Sequence, residues 1–166
     1  MRDEFTALGG EVVDFQGITP AESTYAAVLS GIAALGPEAL YFGGYIQEAV
    51  VLVNNMEEAG LGDAIFFGCD GTFGQDFLDR TGANGEGTYG TSLIPPSSAA
   101  KDTFDAAYLS QFGVEPGKLS PYSWTAYDAA ATLISVIKSV AVKGDDGNLY
   151  IPRAALVAGV RGLTNY

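Results

Sequence analysis

The hydrophobic and polar positions of the chain alternate between two rhythms up to residue 94 and settle into one rhythm beyond it. Short apolar runs, Glu11–Phe15, Ala39–Phe42, Ala64–Phe67 and Thr88–Ile94, read as strands. The stretches between them have apolar residues at helical spacing. Tyr25, Val28, Leu29, Ile32 and Leu35 form one face, capped by Ser23 or Thr24 and stopped by Gly36-Pro37. Val50, Leu52, Val53, Met56 and Ala59 form a second, on a helix from Gln47 to Ala59 with Gly60 as its stop. Arg2–Leu8 reads as the last turns of a helix ended by Gly9-Gly10, and Phe73–Arg80 as a short helix followed by a glycine-rich loop, Gly82–Gly87. Strands of four or five apolar residues without polar alternation suit a parallel sheet covered on both faces. The first part of the chain is therefore expected to be α/β and Rossmann-like, a three-layer parallel sheet with helices on both faces.

Pro95-Pro96-Ser97-Ser98 marks a boundary, because two successive prolines continue neither a central strand nor a helix. Beyond it the pattern is mostly helical. Phe104, Ala107 and Tyr108 share a face of Lys101–Phe112. Tyr127, Ala130, Ile134 and Ile137, broadened by Leu133, Val136 and Val140, share a face of Trp124–Val142. Gly113–Pro121 is a loop, Gly144–Gly147 a turn, and Pro152 opens a last helix to about Val160. Arg161–Tyr166 ends without a stop signal. Residues 1–96 and 97–166 are thus expected to be two units, an α/β layer and a helical segment.

Composition narrows the chemistry. Eight basic against 20 acidic residues give a formal net charge of −12, and no Lys/Arg run exists. Nucleic acid and anionic membrane surfaces are therefore not expected as partners. The chain has no histidine and one cysteine, Cys69. No intrachain disulfide can form, and the commonest general base and zinc ligand are missing. No metal loop, phosphate-cradle motif or dinucleotide fingerprint is present, and no cofactor is expected. Asp70-Gly71-Thr72 is similar to the loop of haloacid-dehalogenase-like phosphatases, but that chemistry needs an aspartate at position 68, which is glycine. An enzyme with a Rossmann-like core is left with the strand-end acid as its sole support. Met1-Arg2-Asp3-Glu4 is followed by no apolar signal region.

The candidate site comes from topology. In open parallel sheets ligands bind beyond the carboxyl ends of the strands. Tyr45 and Asp70 follow two such ends and lie 25 positions apart, one strand–helix–strand repeat. They should emerge side by side on one rim. Ile18, Thr19 and Thr72 also follow strands and are candidates to line the same cleft. Bland readings stand beside each: Asp70 as a helix cap or turn residue, Tyr45 as a sheet-edge aromatic, Cys69 as a small buried hydrophobe. Trp124 and Tyr127 read as core residues of their helix, and Asp145-Asp146 as a solvated turn.

The order V-V-D-F-Q-G-I-T-P, L-Y-F-G-G-Y, F-F-G-C-D-G and P-Y-S-W-T-A-Y-D-A-A resembles the branched-chain amino acid (leucine/isoleucine/valine) binding proteins, type I periplasmic solute receptors of ABC importers. The resemblance implies one lobe of a two-lobed receptor, with the first lobe and the last crossover outside this chain. The helices of Lys101–Val160 would then pack on that first lobe. It implies an amino-acid ligand, an ABC transporter permease as partner, an extracytoplasmic location and no reaction on the ligand. Asp70 matches the family's acidic residue that takes the ligand's α-ammonium, although the leucine-type receptors carry Glu there. Tyr45 matches a ligand-contacting aromatic, and a further family tyrosine falls before residue 1. A sensor domain of the same fold is the near alternative. Unpartnered apolar faces in this chain predict a homodimer, by domain swapping or packing, or else repacking onto the present lobe.

Overall fold

The fold was analysed in a computed structural model, which describes residues 2–118 and 120–164. Residue 119, in the loop expected at Gly113–Pro121, and residues 165 and 166, in the terminal segment, lie outside the described residues, as does residue 1.

Three parallel strands, β1 (Ala39–Phe42), β2 (Ile65–Gly68) and β3 (Tyr89–Gly90), form a sheet in the order β1-β2-β3. Phe42 pairs with Gly68, and Gly68 with Gly90, so the three carboxyl ends finish level on one rim. Helix α3 (Ile46–Met56) connects β1 to β2, and α4 (Gln75–Thr81) lies between β2 and β3. Helix α1 (Arg2–Ala7) opens the chain, and α2 (Ala26–Ala33) precedes β1 and packs on α3. The core lies between α2, α3 and α4 and one face of the sheet. Leu29, Val50, Leu52, Val53, Met56, Leu61, Phe66 and Phe77 are buried there, with Leu40 and Phe42 against them. β1 and β2 thus send alternate residues into this core.

The other face carries an aromatic row. Tyr41, Phe67 and Tyr89 sit in register across the three strands, with ring centroids 6.4 and 6.2 Å apart. They are 45, 39 and 59% exposed, and Ile65 beside them is 48% exposed. The apolar character of the strands on both sides is real. Among the described residues the helices that build the core cover one side.

Two strands differ from expectation. Glu11–Phe15 is not a strand; no backbone hydrogen bond joins it to β1 among the described residues, and Phe15 is 73% exposed. An isolated apolar run becomes a strand only when a neighbour takes its backbone groups. The expected Thr88–Ile94 strand shrinks to Tyr89–Gly90 for the same reason, since β2 ends at Gly68 and leaves no further partner except the Gly68 carbonyl, which accepts from Thr91 N at 3.2 Å. At the start of α2 Thr24 Oγ1 accepts from Ala26 N at 3.2 Å, so Thr24 serves the helix start as expected, and α3 adds to it: Asn55 Oδ1 accepts from the Tyr25 N–H at 3.0 Å and the Thr24 hydroxyl at 3.1 Å.

Beyond the prolines, α5 (Ala99–Phe112) begins at Ser98, whose Oγ accepts from Lys101 N at 3.2 Å, and ends at Gly113 with φ +71°. Helix α6 (Ser123–Val140) leads into a hairpin that the sequence did not announce, β4 (Val142–Lys143) with β5 (Leu149–Tyr150). Its turn is set by Asp146, whose carboxylate accepts from Asn148 N and from the Tyr150 hydroxyl. Helix α7 (Arg153–Arg161) packs on α6, with Gly159 against buried Val136. Trp124 is buried as expected, and its Nε1 donates to Asp105 at 2.7 Å. Tyr127 is not a core residue: it is 59% exposed, its ring 4.8 Å from that of Phe104. No helix among the described residues is long and apolar enough to cross a membrane.

Candidate functional site

The rim of the sheet is built by two loops, Gly43–Tyr45 after β1 and Cys69–Thr72 after β2. Cys69 N donates to Phe42 O at 3.1 Å, and the Cys69 thiol donates to Gly44 O at 3.2 Å. Gly71 closes the gap: a Cβ there would stand 2.4 Å from the Gly44 carbonyl oxygen and 3.3 Å from the Tyr45 ring. Only glycine allows the second loop to lie this close to the first. Tyr45 and Asp70 therefore share one rim of the sheet, as their spacing predicts. Cys69 is half-buried and acts as a stitch between the loops.

Tyr45 immediately precedes α3 in extended backbone and is 72% exposed, free to form a wall over the rim. Asp70 opens a single 3-10 turn, Asp70–Thr72, and is half-buried. Among the described residues its carboxylate accepts no hydrogen bond from the turn it opens. Instead Asp70 Oδ2 accepts a hydrogen bond from the Tyr122 hydroxyl at 2.8 Å, across 52 positions. Tyr122 stands just ahead of α6, and sequence reasoning missed it. The P-Y-S-W stretch is distinctive, but no local pattern says which end of the sheet a residue 52 positions away will reach.

The electrostatics follow from this contact. The hydrogen bond to Asp70 is the main cause that raises the Tyr122 pKa above the usual tyrosine value, followed by partial burial and by the charges of Asp70, Cys69 and Tyr45. Tyr41 is raised as well, by partial burial first and then by Cys69 and Asp70. The rim is thus an acidic spot ringed by phenols, with no cation among its recorded partners. A carboxylate in such a place can take an ammonium group, and tyrosine rings offer it apolar walls with polar tips.

The other predicted residues divide. Ile18 packs half-buried against the helical core, and Thr19 is exposed with its carbonyl held by the Tyr25 hydroxyl at 2.8 Å. Their loop reaches the first turn of α3, where Ala21 N donates to Glu48 Oε1 at 3.2 Å. Ala21 adopts φ +63°, a left-handed conformation that alanine rarely takes. That brings the loop to the helix that begins beside Tyr45, but no recorded hydrogen bond joins Ile18 or Thr19 to Asp70. Thr72 is turned inward. It is 4% exposed and its hydroxyl donates to Cys69 O at 2.7 Å, so it holds the turn that presents Asp70.

An "Amino acid binding protein" of Pseudomonas aeruginosa is 32% identical over 137 residues, covering 78% of this chain and 35% of that protein. "Leu/Ile/Val-binding protein homolog 3" of Brucella melitensis is 26% identical over 113 residues, covering 67% of this chain and 30% of that protein. The chain thus spans about a third of the length of the curated relatives it matches. Among solved structures, a leucine-binding protein of Thermotoga maritima superposes with a TM-score of 0.81 at 23% identity, over 99% of this chain and 44% of that one. At that identity the likeness speaks for the fold: an α/β lobe of the type I periplasmic binding kind. The profile of the family described as "Periplasmic binding protein" matches residues 1–166, the whole length of the chain. The chain belongs to the periplasmic binding protein family.

Proposed function

We propose that this chain is the second-lobe portion of the extracytoplasmic amino-acid receptor of an ABC importer. Asp70 takes the α-ammonium of a branched-chain or related amino acid and Tyr45 closes over it. The ligand is bound and released unchanged. In the intact receptor, closure about a hinge produces the form that the transporter permease reads. The observation that supports this reading is the junction of the two strand-end loops, where Gly71, next to Asp70, lies against the Gly44 carbonyl and the Tyr45 ring. Relatives that carry leucine, isoleucine and valine in their names support the ligand class. Asp is one methylene shorter than the Glu of the leucine-type receptors, which favours a pocket of different depth. Ile18 and Thr19 stand as candidate neighbours of the ligand through the loop tied to Glu48, and Thr72 as the residue that supports Asp70 from below.

The same reading accounts for the open side of the sheet. Strands apolar on both faces, with Tyr41, Phe67 and Tyr89 left half-exposed, suit a lobe whose second cover comes from elsewhere in a longer receptor. Residues 1–96 then form the lobe, and residues 97–166 the helices that pack on its partner lobe.

A charge-assisted hydrogen bond from an ammonium to Asp70 contributes about 1.5–3 kcal/mol, too little by itself for tight binding. Leucine should therefore bind the 166-residue chain only in the millimolar range, in a nuclear magnetic resonance titration followed at Gly44 and Gly71. Asp70→Asn should abolish even that. Micromolar affinity by calorimetry would overturn the half-receptor reading, and unchanged binding by Asp70→Asn would remove Asp70 from the site.

A further inference from the structure

Parallel sheets carry helices on both faces, and this one, among the described residues, carries them on one. On the other face Tyr41, Phe67 and Tyr89 stand in register, with ring centroids 6.4 and 6.2 Å apart, and all three are exposed. The whole chain is correspondingly open. Its accessible surface is 11278 Å², about 3,500 Å² more than a compact chain of 17.2 kDa leaves exposed. An obligate dimer buries about 2,000–5,000 Å² over both partners, so this surface is enough to build one. Charge is divided along the chain as well. Residues 1–98 have two basic and fourteen acidic side chains, and residues 129–166 have four basic and two acidic. Exposed acids stand ahead of all three strands, Glu38 before β1, Asp63 before β2 and Glu86 before β3, so one edge of the aromatic row is negative.

Helix α7 has the opposite character. It contains no acidic residue, and one face presents Ala154, Val157 and Ala158 between Arg153 and Arg161, all five exposed. The side that meets α6 is a different one, where Gly159 lies against Val136. Eight residues of helix rise about 12 Å, close to the length of the ring row. Small side chains in the middle of the stripe leave room for protruding rings. A guanidinium at each end can stack on an aromatic face or pair with a carboxylate. We propose that a second copy of this chain covers the open sheet face with its α7, Val157 over Phe67 and the two arginines toward the ends of the row. Sheet and helix are different surfaces, so a pair in which each copy gives its α7 to the other's sheet closes on itself. In the longer receptor the cover comes from the rest of that protein; the 166-residue chain takes it from its own kind. The proposal stands apart from the reading of Asp70 and Tyr45.

Sedimentation equilibrium of the 166-residue chain should show monomer and dimer in exchange. Arg153→Glu combined with Arg161→Glu should weaken the dimer about tenfold or more, because it turns attraction to an acidic lobe into repulsion. Lys118→Glu combined with Lys143→Glu changes the net charge by the same amount away from α7, and should weaken it by about threefold at most. In a mixture of an isotope-labelled and an unlabelled copy, filtered nuclear magnetic resonance spectra should show the Val157 methyl groups of one copy against the Phe67 ring of the other. A chain that stays monomeric to about 1 mM, where even weak complexes form, overturns the proposal. So does equal weakening by the two pairs of reversals. Ring-to-ring contacts between copies in place of the Val157–Phe67 contact would mean sheet packed on sheet, and overturn it too. Circular dichroism of the variants confirms that each is folded.

Discussion

At the scale of single residues, one hydrogen bond does two things: it raises the Tyr122 pKa and ties Asp70 Oδ2 to the start of α6. Because the folded-state pKa of Tyr122 is raised, the stabilisation from its bond to Asp70 is fully present below the unfolded tyrosine value of about 10 and is lost as pH climbs through the higher folded value. Above that, a phenolate faces a carboxylate. Replacing Asp70 by Asn removes the main cause of the shift, so the Tyr122 ring carbon signal should titrate at lower pH in Asp70→Asn than in the parent chain. A titration that does not move would mean that the two side chains do not meet in solution. Asp105 shows the opposite sign. Hydrogen bonds from Lys101 and from Trp124 hold its carboxyl below the usual aspartate value, so what they contribute is present above that usual value and fades as pH falls through the lower folded one.

At the scale of elements, the site depends on how closely two loops approach. The Gly71 Cα faces the Gly44 carbonyl, and a methyl group there would stand 2.4 Å from that oxygen, so backbone must yield. Gly71→Ala should destabilise the chain by about 1–3 kcal/mol, the ordinary cost of overpacking. It should also move Tyr45 away from Asp70. Thermal unfolding measures the first effect, and a lost Cys69–Gly44 contact in amide shifts measures the second. An unaltered melting temperature would show that the loops stand farther apart than described. The elements that carry this junction were legible in sequence, and for a clear reason. β1, α3 and β2 combine compact apolar runs with a helical stripe, and each run ends in glycine, so local pattern and tertiary burial agree. Glu11–Phe15 has the same local pattern and fails, because a strand is defined by a neighbour and this one has none among the described residues. The β4–β5 hairpin was missed for the converse reason. Its strands are two residues each, too short to show a period, and its turn is held by the Asp146 side chain.

At the scale of the whole molecule, the α/β layer and the helices after the prolines are joined sparingly. Among the described residues the hydrogen bond recorded between them is that of Tyr122 to Asp70. Each half also leaves aromatic surface open: Tyr41, Phe67 and Tyr89 on the sheet, Phe112 and Tyr127 on α5 and α6. Surface of this kind is expected to gather dye and neighbours. The chain should bind the apolar dye ANS under native conditions and show a scattering mass that rises with concentration. Phe67→Ser, which breaks the middle rung of the sheet row, should lower both. A strictly monomeric chain that excludes the dye would show that these faces are covered in solution.

The sequence by itself determined the parallel α/β layer, the change to mostly helix after Pro95-Pro96 and the positions of Tyr45 and Asp70 after two neighbouring strand ends. All of these follow from local composition or from the fixed length of a strand–helix–strand repeat, which registers residues one repeat apart. Tertiary structure alone decided that Thr72 turns inward, that the Gly71–Gly44 contact sets the loop spacing and that Tyr122 reaches Asp70. Those outcomes depend on contacts between segments far apart in the chain, and no periodicity within a segment encodes which distant side chain will arrive.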